Sequence, residues 1–364
     1  MKCYLVGGAV RDELLGLEPR ERDWVVVGAT EEEMLARGFR RLDLAFPVFL
    51  HPQTGDEYAL ARRERKVGPG YKGFVVETGP GVTLEEDLAR RDLRVNAIAR
   101  DRAGRLIDPY GGLDDLDRRL LRHITPAFTE DPVRLLRAAR FSAKLGPWGF
   151  RIADSTLDLM KDMARAEELG SVYPERLRLE LAKALDTDQP WRFFEALHRC
   201  GALEPLLPSL AAAWRQGGDR DMQALRRLLA AGGGSAERFA LVMRDADEPV
   251  RAALAPDRKA HELATWLRLW PAARVAAADG GELLALIEGL RLTRAPERVA
   301  ALGRLWSAEA PDSDAVARLQ AALAAFHGVR AQDLAGTGLR GPALGRALRE
   351  RRLAAIRRSL KVAA

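Results

Sequence analysis

Short apolar runs punctuate the first third of the chain: Tyr4-Leu5-Val6, Trp24-Val25-Val26-Val27, Phe46-Pro47-Val48-Phe49-Leu50 and Glu57-Tyr58-Ala59-Leu60. Each is rich in β-branched or aromatic residues and is bounded by glycine, proline or charge, which is the signal of a strand. Helical spacing of apolar positions fills the gaps between them over the first 120 or so residues. From Pro126 onward the pattern is helical, and Leu203 to Ala364 is rich in Ala, Leu and Arg, with breaks at Gly217-Gly218, Gly232-Gly233-Gly234, Gly280-Gly281 and Gly336 to Gly341. The pattern predicts an α/β head followed by a long all-α remainder. The Ala-rich segments match no solenoid period, so a repeat protein is not expected.

A length of 364 residues allows two or three domains, and 47% hydrophobic with 30% charged residues is ordinary for a soluble globular protein. Arg11 and Asp12 interrupt the N-terminal segment before a signal-peptide core forms, and no uncharged apolar run approaches the roughly 18 residues of a spanning helix. A cytoplasmic protein with no membrane partner is expected. Cys3 and Cys200 are too few and too far apart for a disulfide framework or a cysteine zinc site. The net charge of +6, from 58 Lys+Arg against 52 Asp+Glu, is too mild to announce a nucleic-acid partner by itself.

The first candidate chemistry lies in GGAVRDELLGLEPRERDWVVVGA, Gly7 to Ala29. Glu21 and Asp23 are spaced i, i+2, so in an extended chain both carboxylates face one way, roughly 7 Å apart at the backbone. Such a pair can hold one or two Mg²⁺ ions for a phosphoryl displacement. It can equally be two surface acids paired with Arg20 and Arg22. Upstream, Gly7-Gly8 permits close backbone approach, the helix start that follows offers free N–H groups, and Arg11 adds a fork-shaped donor, together a cradle for a triphosphate. A plain strand-to-helix turn would use the same glycines. Neither GxxxxGK[ST] nor GxGxxG is present.

Two further segments stand out. TLEEDLARRDLRVNAIA opens with a capping box, Thr83 and Glu86, and reads as a helix with Leu84, Leu88, Val95 and Ile98 on its apolar stripe. Off that stripe, Asp92 and Asn96 form an i, i+4 pair able to position Arg91, or simply a solvated face. In TEDPVRLLRAARF, Arg134, Arg137 and Arg140 follow Asp131 at intervals of three, so the row winds half-way round a helix. An extended ligand, a base at one end and a triphosphate at the other, could touch all four. Asp131 could also be a first-turn acid favoured by the helix dipole, with the arginines facing solvent.

In this order, GGAVRDELLG with its acid pair, ARRERKVGPGYKGF, EEDLARRDLRVNAIA, DPYGG and EDPVRLLRAARF resemble the class II branch of the nucleotidyltransferase superfamily, specifically the bacterial tRNA nucleotidyltransferases or CCA-adding enzymes, over Met1 to about Leu206. The resemblance implies an α+β fold: a small polymerase-β-like head with a mixed sheet and flanking helices at 1–125, a helical neck and body at 126–206, and an all-α region at 207–364. It implies that Glu21 and Asp23 are catalytic and bind Mg²⁺, that Gly8, Arg11 and Arg91 handle the nucleotide, and that Arg137 and Arg140 contact it further along. Asp131 and Arg134 resemble the family's protein template for C and A. The partners implied are the tRNA 3′ end, CTP and ATP. Glu57 is a candidate third carboxylate, and the stretch Arg62 to Phe74 reads as a mobile loop of the kind that in this family helps switch from C to A addition. A poly(A) polymerase of the same family is the alternative, and a non-catalytic RNA-binding relative a further one.

Two departures matter. Glu21 stands where the family more usually has Asp. Many relatives carry an HD phosphohydrolase domain in the C-terminal half, yet in RFALVMRDADE Arg244 stands where the metal-binding His would be and Glu248 where a Lys would. The five histidines, His51, His123, His198, His261 and His327, lack metal-ligand spacing. The C-terminal region is therefore expected to be a degenerate remnant, and the arginines of GLRGPALGRALRERRLAAIRR to face either tRNA phosphates or solvent.

Overall fold

The four apolar runs become strands of one seven-stranded mixed sheet. In chain order the computed structural model has β1 (Lys2–Val6), α1 (Gly8–Leu14), β2 (Asp23–Val27), α2 (Glu31–Ala36), β3 (Arg40–Arg41), β4 (Val48–Leu50), β5 (Glu57–Leu60), β6 (Arg62–Lys66), β7 (Phe74–Thr78), α3 (Leu84–Ala89), β8 (Ala99–Asp101), β9 (Leu106–Ile107) and α4 (Gly112–Asp117). It describes residues 1–19, 21–43, 46–68, 73–165, 169 and 174–362. The sheet order is β3-β4-β5-β2-β1-β8-β9, with β2 and β5 parallel and every other pair antiparallel. Its two faces build two cores. Val6 and Val25 pack with Leu84, Leu88 and Ala97 on one side, while Val26, Phe49, Tyr58 and Leu60 pack with Met34 on the other. Burial on both faces is why β2 reads as an unbroken apolar run.

Two expectations are corrected here. The helix expected from Thr83 to Ile98 ends at Ala89, and after an irregular step a 3₁₀ turn, Arg94–Asn96, leads into β8. The capping box is present, with Glu86 N–H donating to Thr83 Oγ1 at 3.2 Å and Thr83 N–H to Glu86 Oε2 at 3.0 Å. Beyond it, Asp92 takes the N–H of Leu93 with its own side chain at 2.8 Å, and Leu93 is extended, bridging to His123. A short acid that captures a neighbouring N–H offers the backbone an alternative to the helix. Val95 and Ile98 are fully buried all the same, so the apolar stripe was real and the backbone beneath it was not helical.

The stretch expected as a loop from Arg62 to Phe74 is largely β-hairpin. β6 and β7 pair from Arg62↔Thr78 to Lys66↔Phe74, and residues 69–72 at its tip lie outside the described residues. The dense charge of RRERK hid the strand. It is tolerated because Arg63 finds Glu77 across the ladder at 3.2 Å and Glu86 at 2.6 Å.

After β10 (Leu120–Leu121) come α5 (Val133–Lys144), β11 (Arg151–Ile152), α6 (Asp154–Arg165), α7 (Pro174–Leu185), α8 (Trp191–Cys200) and α9 (Leu203–Leu206). β11 pairs in parallel with β10, a two-residue strand within the otherwise helical neck. α5 is the central helix, with Leu135, Leu136, Ala138 and Ala139 fully buried. These elements belong to a first compact unit, Met1–Leu207. The second, Pro208–Ala364, is helical among the described residues: α10 (Pro208–Gly217), α11 (Arg220–Ala230), α12 (Ser235–Met243), α13 (Glu248–Leu254), α14 (Arg258–Leu269), α15 (Ala272–Ala277), α16 (Gly280–Gly289), α17 (Pro296–Glu309), α18 (Ala315–His327) and α19 (Gly341–Val362). Trp306 anchors its core, its indole N–H donating to the Trp270 carbonyl at 2.8 Å. No described helix is long and apolar enough to cross a membrane.

Candidate active site

A cleft of about 660 Å³ lies within the first unit, over the sheet face that carries Asp23 and against α5. Gly8, Arg11, Glu21, Asp23, Arg91, Asp131, Arg134, Arg137 and Arg140, widely spaced in the chain, all line it. Ten of its lining residues are Arg or Lys and seven are Asp or Glu, an excess of cations that suits a polyanion.

The acids sit at the start of β2. Asp23 is in register with Glu57 of β5 in the parallel pair, so the two side chains share the cleft face. Burial pushes the Asp23 carboxyl up; Arg91 opposes that and the Glu21 charge adds to it. Arg22 turns to Glu13 at 3.4 Å, away from the acids, and Arg20 lies outside the described residues. Among the described residues no three His, Cys, Asp or Glu close around a point as a protein-only metal cage. Hard carboxylate oxygens with coordination left open are the donor set of Mg²⁺, which keeps water and phosphate oxygens as ligands.

Beside the acids, β1 runs into Gly7 and Gly8. Gly7 has φ +71°, and a Cβ there would lie 2.9 Å from Arg91 Nη1, so the turn admits only glycine without displacing that guanidinium. Arg91 is held by Asp87 at 3.2 Å, not by the Asp92–Asn96 pair, and its Nε has no partner. Burial would raise the Asp87 carboxyl, but Arg91 and Arg90 outweigh it and hold it down. Arg11 is 1% exposed and committed inward: Nε to Asp12 at 2.8 Å and Nη1 to Asn96 Oδ1 at 2.5 Å. Asp12 in turn takes Lys144 of α5 at 3.0 Å. Asn96 donates to Asp92 at 3.0 Å, and Asp92 accepts Arg137 Nε at 2.7 Å. A buried relay of charges and amides thus runs from the glycine turn to α5.

On α5 the arginines differ in what they have left to give. Arg134 is buried and donates to the carbonyls of Ala127 and Arg90, both at 2.8 Å, leaving three of its five N–H donors. Arg140 is bound to Glu180 of α7 and lies 4.2 Å over the Phe141 ring. Arg137 is half-buried. Asp131 lies just before the helix start, its side chain accepting from Val133 N–H at 2.9 Å, and burial pushes its carboxyl up against that bond and the pull of Arg134 and Arg137.

Residues 3–122 match the family model described as the poly A polymerase head domain, and residues 149–213 the one described as a probable RNA and SrmB binding site of polymerase A. A multifunctional CCA protein of Thioalkalivibrio sulfidiphilus is 43% identical, with 98% of each chain covered. One of Pseudomonas putida is 45% identical, again over 98% of each. The chain belongs to the CCA-adding family of tRNA nucleotidyltransferases. A crystal structure of the Bacillus stearothermophilus CCA-adding enzyme in complex with CTP matches at a TM-score of 0.65 and 26% identity, covering 97% of this chain and 88% of that one.

Within this CCA-adding family chain the second unit keeps no metal-ligand cluster among its described residues. Arg244, at the end of α12, donates to Asp221 at 2.7 Å and lies 3.4 Å from Asp245 and 3.6 Å from Glu309. Burial works against its charge, but Asp221, Asp245 and Glu309 outweigh it. Arg244 is thus a fixed cation among three carboxylates. Glu248 pairs instead with Arg251 and with His261, the latter at 2.8 Å.

The sequence reading missed the second layer of the cleft. Asp87 and Glu180 are buried acids flanked by Leu84 and Leu88 on α3 and by Leu177 and Leu181 on α7. An acid within an apolar stripe was the available signal, since it stays charged there only when paired. Arg62, Glu64, Arg90, Lys144, Arg176 and Lys183 also line the cleft. They carried no pattern that set them apart from surface charge.

Proposed function

We propose that the chain adds and repairs the 3′-terminal CCA of tRNA without a nucleic-acid template, using CTP and ATP and releasing pyrophosphate. The observation that carries this is the single cleft in which a carboxylate pair, a glycine turn facing an anchored arginine, and an acid-led row of arginines meet. Glu21 and Asp23 are assigned as the Mg²⁺ ligands, with Glu57 beside them. Bound there, Mg²⁺ supplies Lewis-acid stabilisation of the attacking 3′-hydroxyl and of the leaving charge. Gly8 and Arg91 receive the triphosphate through backbone N–H groups and the guanidinium charge at the cleft wall. Arg11, spent on Asp12 and Asn96, fixes the turn that Gly8 belongs to.

Base choice falls to Asp131 and Arg134. Asp131 retains lone pairs to accept the amino group that C and A share, and Arg134 retains donors for ring acceptors. G and U mismatch that set, and a buried unpaired donor or acceptor costs about 1–3 kcal/mol. Arg137 and Arg140 complete the wall for the sugar and phosphates. The head at 1–125, the helical neck and body at 126–206 and the remainder at 207–364 are the functional divisions we assign, and a cytoplasmic location goes with these substrates.

The test is to incubate the protein and Mg²⁺ with tRNA lacking CCA, tRNA ending in CC, and a generic oligonucleotide, each with CTP, with ATP and with both together. Addition of two C and one A to the first and one A to the second is expected. Long A tracts on every substrate would make it a poly(A) polymerase, and no addition to any would refute the assignment.

A further inference from the structure

The cleft has a second wall, formed by the β5 and β4 side of the sheet, whose chemistry differs from that of α5. Phe46, Val48, Ala59 and Arg62 line it. The Arg62 guanidinium carbon sits 3.5 Å from the centre of the Phe46 ring, so one face of the guanidinium is covered by the aromatic. Its Nε donates to Glu64 at 2.8 Å and its backbone N–H to Asp87 at 3.3 Å. Arg90 joins the same acids, at 3.0 Å from Glu64 and 2.7 Å from Asp87. Glu64 and Asp87 meet much of the guanidinium charge of Arg62, Arg90 and Arg91 within the protein, which weakens the pull of the patch on a phosphate. What remains is a clamped aromatic–guanidinium pair in the cleft wall, the kind of surface on which a nucleobase stacks.

Which base stacks there follows from sheet order, and the step rests on the proposed function above. β1 with its glycine turn lies on one side of β2, and β5 and β4 lie on the other. A triphosphate on the β1 side directs its pyrophosphate that way, and in-line displacement brings the attacking hydroxyl from the opposite side. We infer that the Phe46–Arg62 pair is the platform for the last base of the tRNA acceptor strand, and thereby places the 3′-hydroxyl at Glu21, Asp23 and Glu57.

The experiment compares wild type with Phe46→Leu and Arg62→Lys, which keep apolar volume and charge respectively. The substrates are tRNA lacking CCA and the same tRNA with its last base removed; tRNA affinity and the KM values for tRNA, CTP and ATP are measured. On wild type, removing the base is expected to weaken tRNA binding about tenfold. Each variant is expected to lose a similar factor on intact tRNA, to be insensitive to base removal, and to keep its KM for CTP and ATP. Equal base-removal penalties in wild type and both variants, or a raised KM for nucleotide with tRNA affinity unchanged, would overturn the inference. Because affinity is read without turnover, a protein that binds in this pattern but adds nothing would leave the platform standing and refute only the activity.

Discussion

Replacing Asp92 with Asn would test the buried relay directly. Asp92 is 5% exposed and its two oxygens accept three donors, from Leu93 N–H at 2.8 Å, Asn96 Nδ2 at 3.0 Å and Arg137 Nε at 2.7 Å. Asn keeps the shape, loses the charge, and must aim an NH₂ at a donor. Removing one partner of a buried ion pair costs about 3–5 kcal/mol. The Arg137 side chain retains 38% exposure, so water replaces part of the loss and about 2–3 kcal/mol is the expected cost. For a unit the size of Met1–Leu207, at roughly 2–4 °C per kcal/mol, the thermal midpoint should fall by about 4–12 °C at neutral pH.

The same substitution has a pH signature. Burial alone would raise Asp92, but Arg137, Asn96 and the Leu93 N–H more than offset it and hold the carboxyl well below the usual range. A depressed acid contributes stability in full above its unfolded value, about 3.9, and loses it as pH falls toward the folded one. The gap in midpoint between wild type and D92N should therefore narrow between neutral pH and about pH 3.5. Thermal unfolding followed by circular dichroism at both pH values measures it. A shift below about 1 °C at neutral pH, or a gap that stays constant on acidification, would refute the claim that Asp92 is a charged keystone.

Gly7→Ala places a methyl 2.9 Å from Arg91 Nη1 at a left-handed φ, and should raise KM for CTP and ATP by a common factor of about ten; an effect on one nucleotide alone would show that the turn reads the base. Asp131→Ala should relax discrimination against G and U about tenfold or more while leaving the Mg²⁺ dependence of the rate unchanged; unchanged nucleotide ratios in competition assays would remove Asp131 from base choice. Chelation should abolish addition and Mg²⁺ restore it. Because the Asp23 carboxyl is raised by burial and by Glu21, the acid limb of kcat/KM should lie above the ordinary carboxylate range and move to lower pH as Mg²⁺ is increased, since metal and proton compete for the ionised acid. A limb indifferent to Mg²⁺ would count against Asp23 as a ligand.

What was legible in the sequence followed from local rules. Val25 and Val26 pointed to a strand, Thr83 and Glu86 to a helix start, and the spacing of Asp131 to Arg140 to a helix carrying its arginines at intervals of three. Two kinds of information were out of reach. The end of α3 was decided by Asp92, whose side chain bonds at once to its own next N–H, to Asn96 and to an arginine 45 residues away; periodicity has no term for that contact. The hairpin of β6 and β7 was decided by cross-strand and long-range ion pairs, which convert a run of five charged residues into a ladder.

The arginines themselves show why residue counts misstate a binding site. Arg11, Arg134, Arg137 and Arg140 all line one cleft, yet each is already anchored, by Asp12 and Asn96, by two carbonyls, by Asp92 and by Glu180 respectively, before any ligand arrives. A flexible lysine in such a place would have to be ordered at the moment of binding, at a cost of up to about 1.5–2 kcal/mol of side-chain entropy. Here that cost is met at folding, by acids that are buried and held charged. The field of the guanidinium groups reaches the cleft through a low-dielectric wall without their moving, which is the condition for stabilising charge that develops only during the reaction. The acids that anchor the arginines are therefore as much part of the proposed nucleotide site as the groups assigned to touch the ligand. It also follows that an anchored arginine can tell one base edge from another, because its remaining donors have a fixed direction, whereas a free one would follow any acceptor offered to it.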